Sequence, residues 1–107
     1  MELAKREIIM YGLFGKFIAV EGERDNLASI LLEASNLLKE NTDCIHYVVG
    51  KSKDGNDVWV SEVWNSKEAH DNSLNPENIR SLIMTARPLI HEMPEGTEYD
   101  VLGGKGF

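Results

Sequence analysis

Three side chains suited to proton transfer and aromatic binding lie close together near the middle of the chain: Glu62, Trp64 and His70. Residues 58–64 alternate β-branched and aromatic side chains with few breakers, a pattern that predicts a β-strand. Since alternate side chains of a strand share a face, Glu62 and Trp64 point the same way. Asn65 fits the N-cap of a short helix that carries His70. A carboxylate and an indole at a strand end, beside a helix bearing histidine, predict the wall of a ligand pocket.

His70 is the candidate general base, because an imidazole can exchange protons near neutral pH. It lies one helical turn before Ser73, so both side chains share a helix face and can reach one pocket. Trp64 would stack on a flat substrate, and Glu62 would orient a histidine or a substrate hydroxyl. The alternatives stay open: His70 as a partly solvated helix residue, Trp64 as a core aromatic, and Glu62 as a structural hydrogen-bond partner.

Composition and charge narrow the class of protein. The 107 residues suit a single domain, and the net charge of −7 argues against nucleic acid or an anionic membrane as the main partner. The longest early apolar run, residues 8–20, is interrupted by glycine and lysine, so neither a membrane span nor a signal peptide is predicted. The single cysteine, Cys44, cannot form an internal disulfide, which favours the cytoplasm. Its spacing from the histidines matches no metal-ligand pattern, so no metal site is predicted.

The remaining elements follow from periodicity and turn signals. Strands are expected over residues 8–20, 44–50, 58–64 and 97–102, and helices over residues 24–40, 66–72 and 75–87. This order is the ferredoxin-like βαββαβ pattern, an α+β fold in which four antiparallel strands carry helices on one face. Residues 1–7 are expected to form a flexible arm, residues 93–96 a loop and residues 103–107 a tail.

The third predicted strand is apolar on both faces. Val58 and Val60 point to one side, and Trp59 and Val63 point to the other. Helices on only one side of the sheet would leave the second apolar face exposed to water. A second copy of the chain would cover it, and two-fold dimers are the commonest homo-oligomers. We therefore predict a homodimer, with Trp59 and Val63 on the face away from the helices.

Several segments, taken in order and spacing, resemble one family. They are Val20-Glu21-Gly22, Asp43-Cys44-Ile45-His46-Tyr47, Ser61-Glu62-Val63-Trp64-Asn65-Ser66-Lys67-Glu68-Ala69-His70 and Arg87-Pro88-Leu89. Over residues 9–102 the chain resembles the antibiotic biosynthesis monooxygenase (ABM) domain family, whose pattern includes Gly-Cys-x-x-Tyr and Glu-x-Trp-x-Ser-x-Glu-Ala. The resemblance implies small dimeric α+β barrels, many of which oxygenate aromatic polyketides or quinols with molecular oxygen and no bound metal or flavin. Others degrade haem, and many have no assigned activity.

The chain departs from the family pattern at three places. Ser73 stands where the family often has histidine, and Asp43 stands where it has glycine. Residues 75–87 contain no histidine, whereas the haem-degrading branch has one inside the last helix. His46 and Tyr47 are adjacent in a strand, so only one can face the pocket, and alternation alone does not decide which. The family motif favours Tyr47 as the residue that faces the pocket.

The resemblance and the residues together predict a cofactor-independent monooxygenase that oxidises a small aromatic, quinol or polyketide-like substrate with molecular oxygen. The candidate site residues are His70 and Trp64 for catalysis and, for substrate binding, Glu62, Tyr47, Asn36 and Arg87. The alternative is a non-catalytic dimeric module, stress-related or binding a small ligand in the same pocket. An enclosed pocket holding at least one titratable group beside Trp64 would favour the enzyme, whereas a pocket filled by side chains would favour the module.

Overall fold

The computed structural model describes residues 9–107, except for the side chains of Met93 and Glu95. The predicted arm, residues 1–7, lies outside the described residues. Within the described part the elements are β1 (Met10–Ala19), α1 (Arg24–Leu37), β2 (Cys44–Lys51), β3 (Asp57–Trp64), α2 (Lys67–Asn72), α3 (Glu77–Ala86) and β4 (Ile90–Val101). A 3₁₀ turn, Arg87–Leu89, joins α3 to β4 and contains the proline that ends the helix.

The four described strands form one antiparallel sheet in the order β2-β3-β1-β4. This is the ferredoxin-like α+β arrangement predicted from the order of the elements. The core lies where the helices pack on the sheet, and its buried centre combines Ala19 of β1, Leu27 of α1, Val58 of β3 and Ala86 of α3. Burying these apolar side chains supplies the main driving force that holds the helices on this face.

Helix α1 ends at Leu37, three residues before the predicted end. The amide of Leu38 is shared between the carbonyls of Ala34 and Ser35, a bifurcated arrangement common at helix termini. The side chain of Asn41 then accepts a hydrogen bond from the amide of Asp43 at 3.0 Å, which turns the chain into β2. The predicted helix at residues 24–40 is therefore correct in position and slightly too long.

The predicted loop at residues 93–96 is wrong, because β4 continues through it from Ile90 to Val101. The strand lies at the edge of the sheet, where Pro94 can be accommodated without breaking a second ladder of hydrogen bonds. The pairing of β4 with β1 is nevertheless irregular, because its register shifts between Lys16 and Ile18 and again between Ile18 and Ala19. The proline and glycine of residues 93–96 had suggested a loop at this irregular part of the strand. This extension brings the first residues of β4 to the functional cavity described below.

The face away from the helices carries Trp59 and Val63, as predicted: they pair with Lys16 and Gly12 of β1. A Cβ on Gly12 would lie 2.5 Å from the ring of Tyr99, so glycine is needed for this close packing. Three large side chains on this outer face remain exposed: Phe14 at 42%, Val48 at 50% and Tyr99 at 42%.

Candidate active site

A central cavity of about 620 Å³ lies between the sheet and the helices. Most of its wall is apolar and comes from β1, α1 and α3, with these members: Phe17, Ile30, Leu31, Ala34, Leu38, Ile79, Leu82, Ile83 and Ala86. Its polar members include Glu62, Tyr47 and His70. A cavity of this size, largely apolar with a few polar groups, has the usual character of a small-molecule site.

Trp64 and Glu62 form a fixed pair at the end of β3. The indole of Trp64 is 1% exposed, and its Nε1–H donates a hydrogen bond of 2.9 Å to Oε1 of Glu62. Burial raises the pKa of the Glu62 carboxyl, and the Trp64 hydrogen bond and the nearby His70 ring oppose that rise only in part. The strand places a carboxyl with weakened acidity on the cavity wall, on the face that alternation predicted.

His70 reaches the cavity from α2. This helix begins one residue later than predicted: Ser66, and not Asn65, is the N-cap, and its hydroxyl accepts a 3.0 Å hydrogen bond from the amide of Ala69. The His70 side chain is 14% exposed and packs edge-on against Trp64, with 5.6 Å between ring centroids. The ring of Tyr11 lies at 5.6 Å. His70 therefore points inward, as the enzyme hypothesis requires.

Carboxylates approach both nitrogens of the His70 ring. Nδ1 lies 3.0 Å from Oδ1 of Asp71, within hydrogen-bond distance, and Nε2 lies 3.7 Å from Oε1 of Glu62. The hydrogen bond to His70, together with the nearby Lys67, lowers the pKa of Asp71, so that carboxylate is ionised at neutral pH. Sequence reasoning missed Asp71, because side chains adjacent on a helix usually diverge.

The register between β2 and β3 decides between His46 and Tyr47. Tyr47 pairs with Glu62 and lines the cavity, whereas His46 pairs with Val63 on the outer face. Burial, followed by the negative charge of Glu62, raises the pKa of Tyr47 well above its ordinary value. The phenol therefore stays protonated through the neutral range and can donate a hydrogen bond.

The last two predicted binding residues differ in position. Arg87, in the 3₁₀ turn, lines the cavity, and His91 and Glu92 at the start of β4 lie on the same wall. Asn36 is exposed on α1 and is not part of the cavity lining. The sequence did not point to His91 or Glu92, because the start of β4 was not expected to be a strand facing the cavity.

Ser73 occupies the place where a histidine was considered. It is 8% exposed and lines the cavity, but its hydroxyl donates a hydrogen bond to the backbone carbonyl of His70. The hydroxyl therefore fixes the end of α2. His70 is the histidine that α2 brings to this end of the cavity.

Residues 9–107 contain neither a cluster of metal ligands nor a membrane-spanning helix. No group of three or more histidine, cysteine, aspartate or glutamate side chains in this range is arranged to hold a metal ion. No helix in the same range is long and apolar enough to cross a membrane.

The model of one protein family, described as antibiotic biosynthesis monooxygenase, matches residues 10–83, well over half of the chain. The chain belongs to this family. A solved structure from Chloroflexus aurantiacus J-10-fl, named "putative antibiotic biosynthesis monooxygenase", is 40% identical, with a TM-score of 0.81 over 91% of this chain and 97% of that one. No curated protein matches the chain.

More distant structures share the fold of the family. A Caulobacter crescentus CB15 protein, also named a "putative antibiotic biosynthesis monooxygenase", is 15% identical, with a TM-score of 0.80 over 96% of this chain and 100% of that one. A conserved protein from Methanosarcina mazei Go1 is 11% identical, with a TM-score of 0.78 over 91% and 97% of the two chains. At these identities the likeness concerns the fold alone.

The raised pKa of Glu62 in this ABM-family chain predicts how the stability of the fold depends on pH. Because its folded pKa is raised above 4.5, its contribution to stability is complete below about pH 4.5 and is lost as the pH rises through the folded pKa. Glu62→Gln keeps an acceptor for Trp64 and removes the ionisation. We expect the unfolding free energy of the variant, relative to wild type, to increase with pH above about 4.5 and then level off.

Urea unfolding of both proteins from pH 4 to 8 measures this difference. Carboxylates with lowered pKa values, such as Asp25 and Asp71, act in the opposite direction in both proteins and cancel in the comparison. A constant difference across the whole range would contradict the burial of an ionisable Glu62.

Proposed function

We propose that this protein is a cofactor-independent monooxygenase that uses molecular oxygen to oxidise a flat, electron-rich phenol or quinol. The observation that carries the proposal is the inward-facing His70 ring, held against Trp64 on the wall of an apolar cavity. A base in such a site needs only to remove one proton from an acidic phenol, because the resulting anion can itself reduce oxygen. The cavity is not filled by side chains and holds the titratable His70 beside Trp64, which supports an enzyme rather than the non-catalytic module.

The cavity volume of about 620 Å³ falls within the range of sites for drug-sized ligands. The apolar side chains of α1 and α3 would bind the ring system and exclude water from the reacting anion. Tyr47, which keeps its proton, would donate a hydrogen bond to the developing oxyanion. Arg87 would contact a polar substituent elsewhere on the substrate.

For the indole of Trp64 we propose a role other than the stacking wall predicted from the sequence. Trp64 borders the cavity, but at 1% exposed it offers a substrate almost no free surface. We assign it instead to positioning, since it holds Glu62 by a hydrogen bond and packs against the ring of His70.

The reaction balances as SH₂ + O₂ → SO + H₂O, where SH₂ is the substrate. Nε2 of His70 would take the phenol proton, and the anion would pass one electron to oxygen. The two radicals would then combine through a C–O bond to give a peroxide, which takes the proton back from the imidazolium. The carbon that carries the peroxide then loses its hydrogen as a proton while the O–O bond breaks; this proton and the departing hydroxide form water, and a carbonyl remains. The four electrons come from the substrate, and the protein supplies proton transfer and a dry site.

Oxygen consumption tests this function. The purified protein, without added cofactor, is mixed with hydroquinones, naphthohydroquinones and anthrone-type phenols in an oxygen electrode. The result expected is substrate-dependent uptake above the rate of spontaneous oxidation measured without protein. Saturable binding of these compounds with no oxygen uptake above that rate would contradict the monooxygenase proposal and support the non-catalytic binding module.

We further propose that the outer sheet face joins two copies of the chain. The exposed side chains Phe14, Val48 and Tyr99 support this, and Trp59 stacks on Phe14 at 5.6 Å within the same surface. A cytoplasmic location stays a prediction that rests on the single cysteine.

Sedimentation at micromolar concentration measures the assembly. We expect a mass of about twice 12.0 kDa. Val48→Lys should shift the protein to a single chain, because it places an unpaired charge in the interface while the side chain is half exposed in one copy. A wild-type protein that sediments as one chain would contradict the proposal.

A further inference from the structure

We infer that Asp71 is a positioning residue that holds His70 in the tautomer with hydrogen on Nδ1, leaving Nε2 as the basic nitrogen beside the cavity. The inference rests on the proposed role of His70 as the base. It adds a residue outside the cavity lining that decides which nitrogen receives the substrate proton.

The first step is the contact on Nδ1. The 3.0 Å separation between Nδ1 of His70 and Oδ1 of Asp71 is a hydrogen bond. An ionised carboxylate can only accept, so the hydrogen must be on Nδ1. In a neutral ring the lone pair then belongs to Nε2.

Nε2 of His70 makes no direct hydrogen bond to the nearby Glu62 carboxyl. Its distance of 3.7 Å from Oε1 of Glu62 is longer than a hydrogen bond, and that oxygen already accepts the indole N–H of Trp64. Nε2 therefore lies at the polar end of the cavity without a direct hydrogen bond to Glu62. A phenol hydroxyl placed there could give its proton to Nε2.

The third step is the support of Asp71 itself. Its second oxygen, Oδ2, lies 3.3 Å from Nζ of Lys67, so each carboxylate oxygen has a different partner. Lys67 also lies 3.6 Å from Glu98 of β4, and Glu98 accepts a 2.6 Å hydrogen bond from the hydroxyl of Tyr11. This chain of contacts links α2 to β4 and β1. Its charged members are more than half exposed, so each ion pair contributes little by itself and adds only to the hydrogen bond that Asp71 makes to Nδ1.

The charged and titratable groups around the His70 ring come from four elements: Tyr11 of β1, Glu62 of β3, Lys67 and Asp71 of α2, and Glu98 of β4. Of these, Asp71 makes the hydrogen bond to the ring. Its negative charge would also stabilise the imidazolium during turnover, until the proton returns to the peroxide.

Nitrogen-15 NMR of histidine-labelled protein tests the inference without any substrate. The His70 signals are assigned by their loss in His70→Ala, and spectra are recorded at alkaline pH, where neutral rings report their tautomer. In wild type we expect a protonated Nδ1 and an unprotonated Nε2. In Asp71→Ala the ring should move toward the Nε2–H form, which free histidine prefers in water. Glu68→Ala is the matched control, since it removes one exposed acidic side chain from the same helix.

Kinetics give a second measure. Asp71→Ala should lower kcat by about ten-fold with little change in KM, a part of the 10²–10⁴-fold that a general base contributes, while Glu68→Ala should match wild type. A wild-type ring with hydrogen on Nε2, or an unchanged tautomer in Asp71→Ala, would overturn the inference even if oxygenase activity is found. If no substrate is turned over but the tautomer changes as described, the control of the His70 tautomer by Asp71 stands, and the proposed function fails together with the role of Nε2 as the base.

Discussion

We expect His70→Ala to lower the rate of the proposed oxygen-dependent turnover by about 10²-fold or more, because it removes the only imidazole that α2 places at the cavity end beside Trp64. The apolar walls that bind the substrate are unchanged, so KM should move far less than kcat. The fold should persist with a modest loss of stability, about 1 kcal/mol, because the ring that is removed is 14% exposed and packs against Trp64. Oxygen uptake and thermal unfolding, measured on the same preparation, separate the two effects.

His46→Ala is the matched control for this prediction. Like His70 it removes one imidazole, but His46 lies on the outer face, paired with Val63. The turnover rate of His46→Ala should stay within about two-fold of the wild-type rate. A change of that size is smaller than the least effect usual for loss of a general base. If both variants keep a demonstrated oxygenase activity, His70 is not the base.

We expect Trp64→Ala to lower the free energy of unfolding by about 3 kcal/mol or more, since it empties the volume of a large side chain that is 1% exposed. It also removes the donor to Oε1 of Glu62 and leaves that buried carboxyl without the indole hydrogen bond. Urea unfolding followed by circular dichroism measures the loss, because the variant has lost one of the two tryptophans that fluorescence would use.

Trp64→Phe separates the two causes of this loss. It keeps most of the buried aromatic volume and removes the N–H, so we expect it to cost about 1–2 kcal/mol. A loss below about 1 kcal/mol for Trp64→Ala would mean that this end of the core collapses around the cavity and that the fixed indole–carboxyl pair is not needed.

The shared face of Glu62 and Trp64 was predictable from the sequence because strand alternation is local. The same reasoning left the choice between His46 and Tyr47 open at the start of β2. There the pairing shifts between Cys44 and His46, so that Cys44 pairs with Trp64 and His46 with Val63. An extra residue in one strand reverses the alternation, and only the partner strand reveals it.

The site was predicted less completely than the fold. His70 could be placed because helix periodicity brings it to the same side as Ser73. Its partner Asp71 depends on the side-chain conformations of two adjacent residues and on Lys67 and Glu98, which come together only in the folded chain. Asn36 was a plausible donor by residue type, but its position off the apolar stripe of α1 leaves it exposed. The start of β4 was missed because proline and glycine suggested a loop where an edge strand forms.

Labelling with ¹⁸O₂ tests whether the protein inserts an oxygen atom from O₂ into its substrate. The protein is freed of metal by a chelator and incubated with the phenol or quinol that gives the fastest uptake, and the product is analysed by mass spectrometry at short times. For a monooxygenase of this kind we expect one labelled oxygen atom in each product molecule, one water formed and no accumulation of hydrogen peroxide. Product without label, formed together with hydrogen peroxide, would contradict it, because oxygen would then only accept electrons from the substrate.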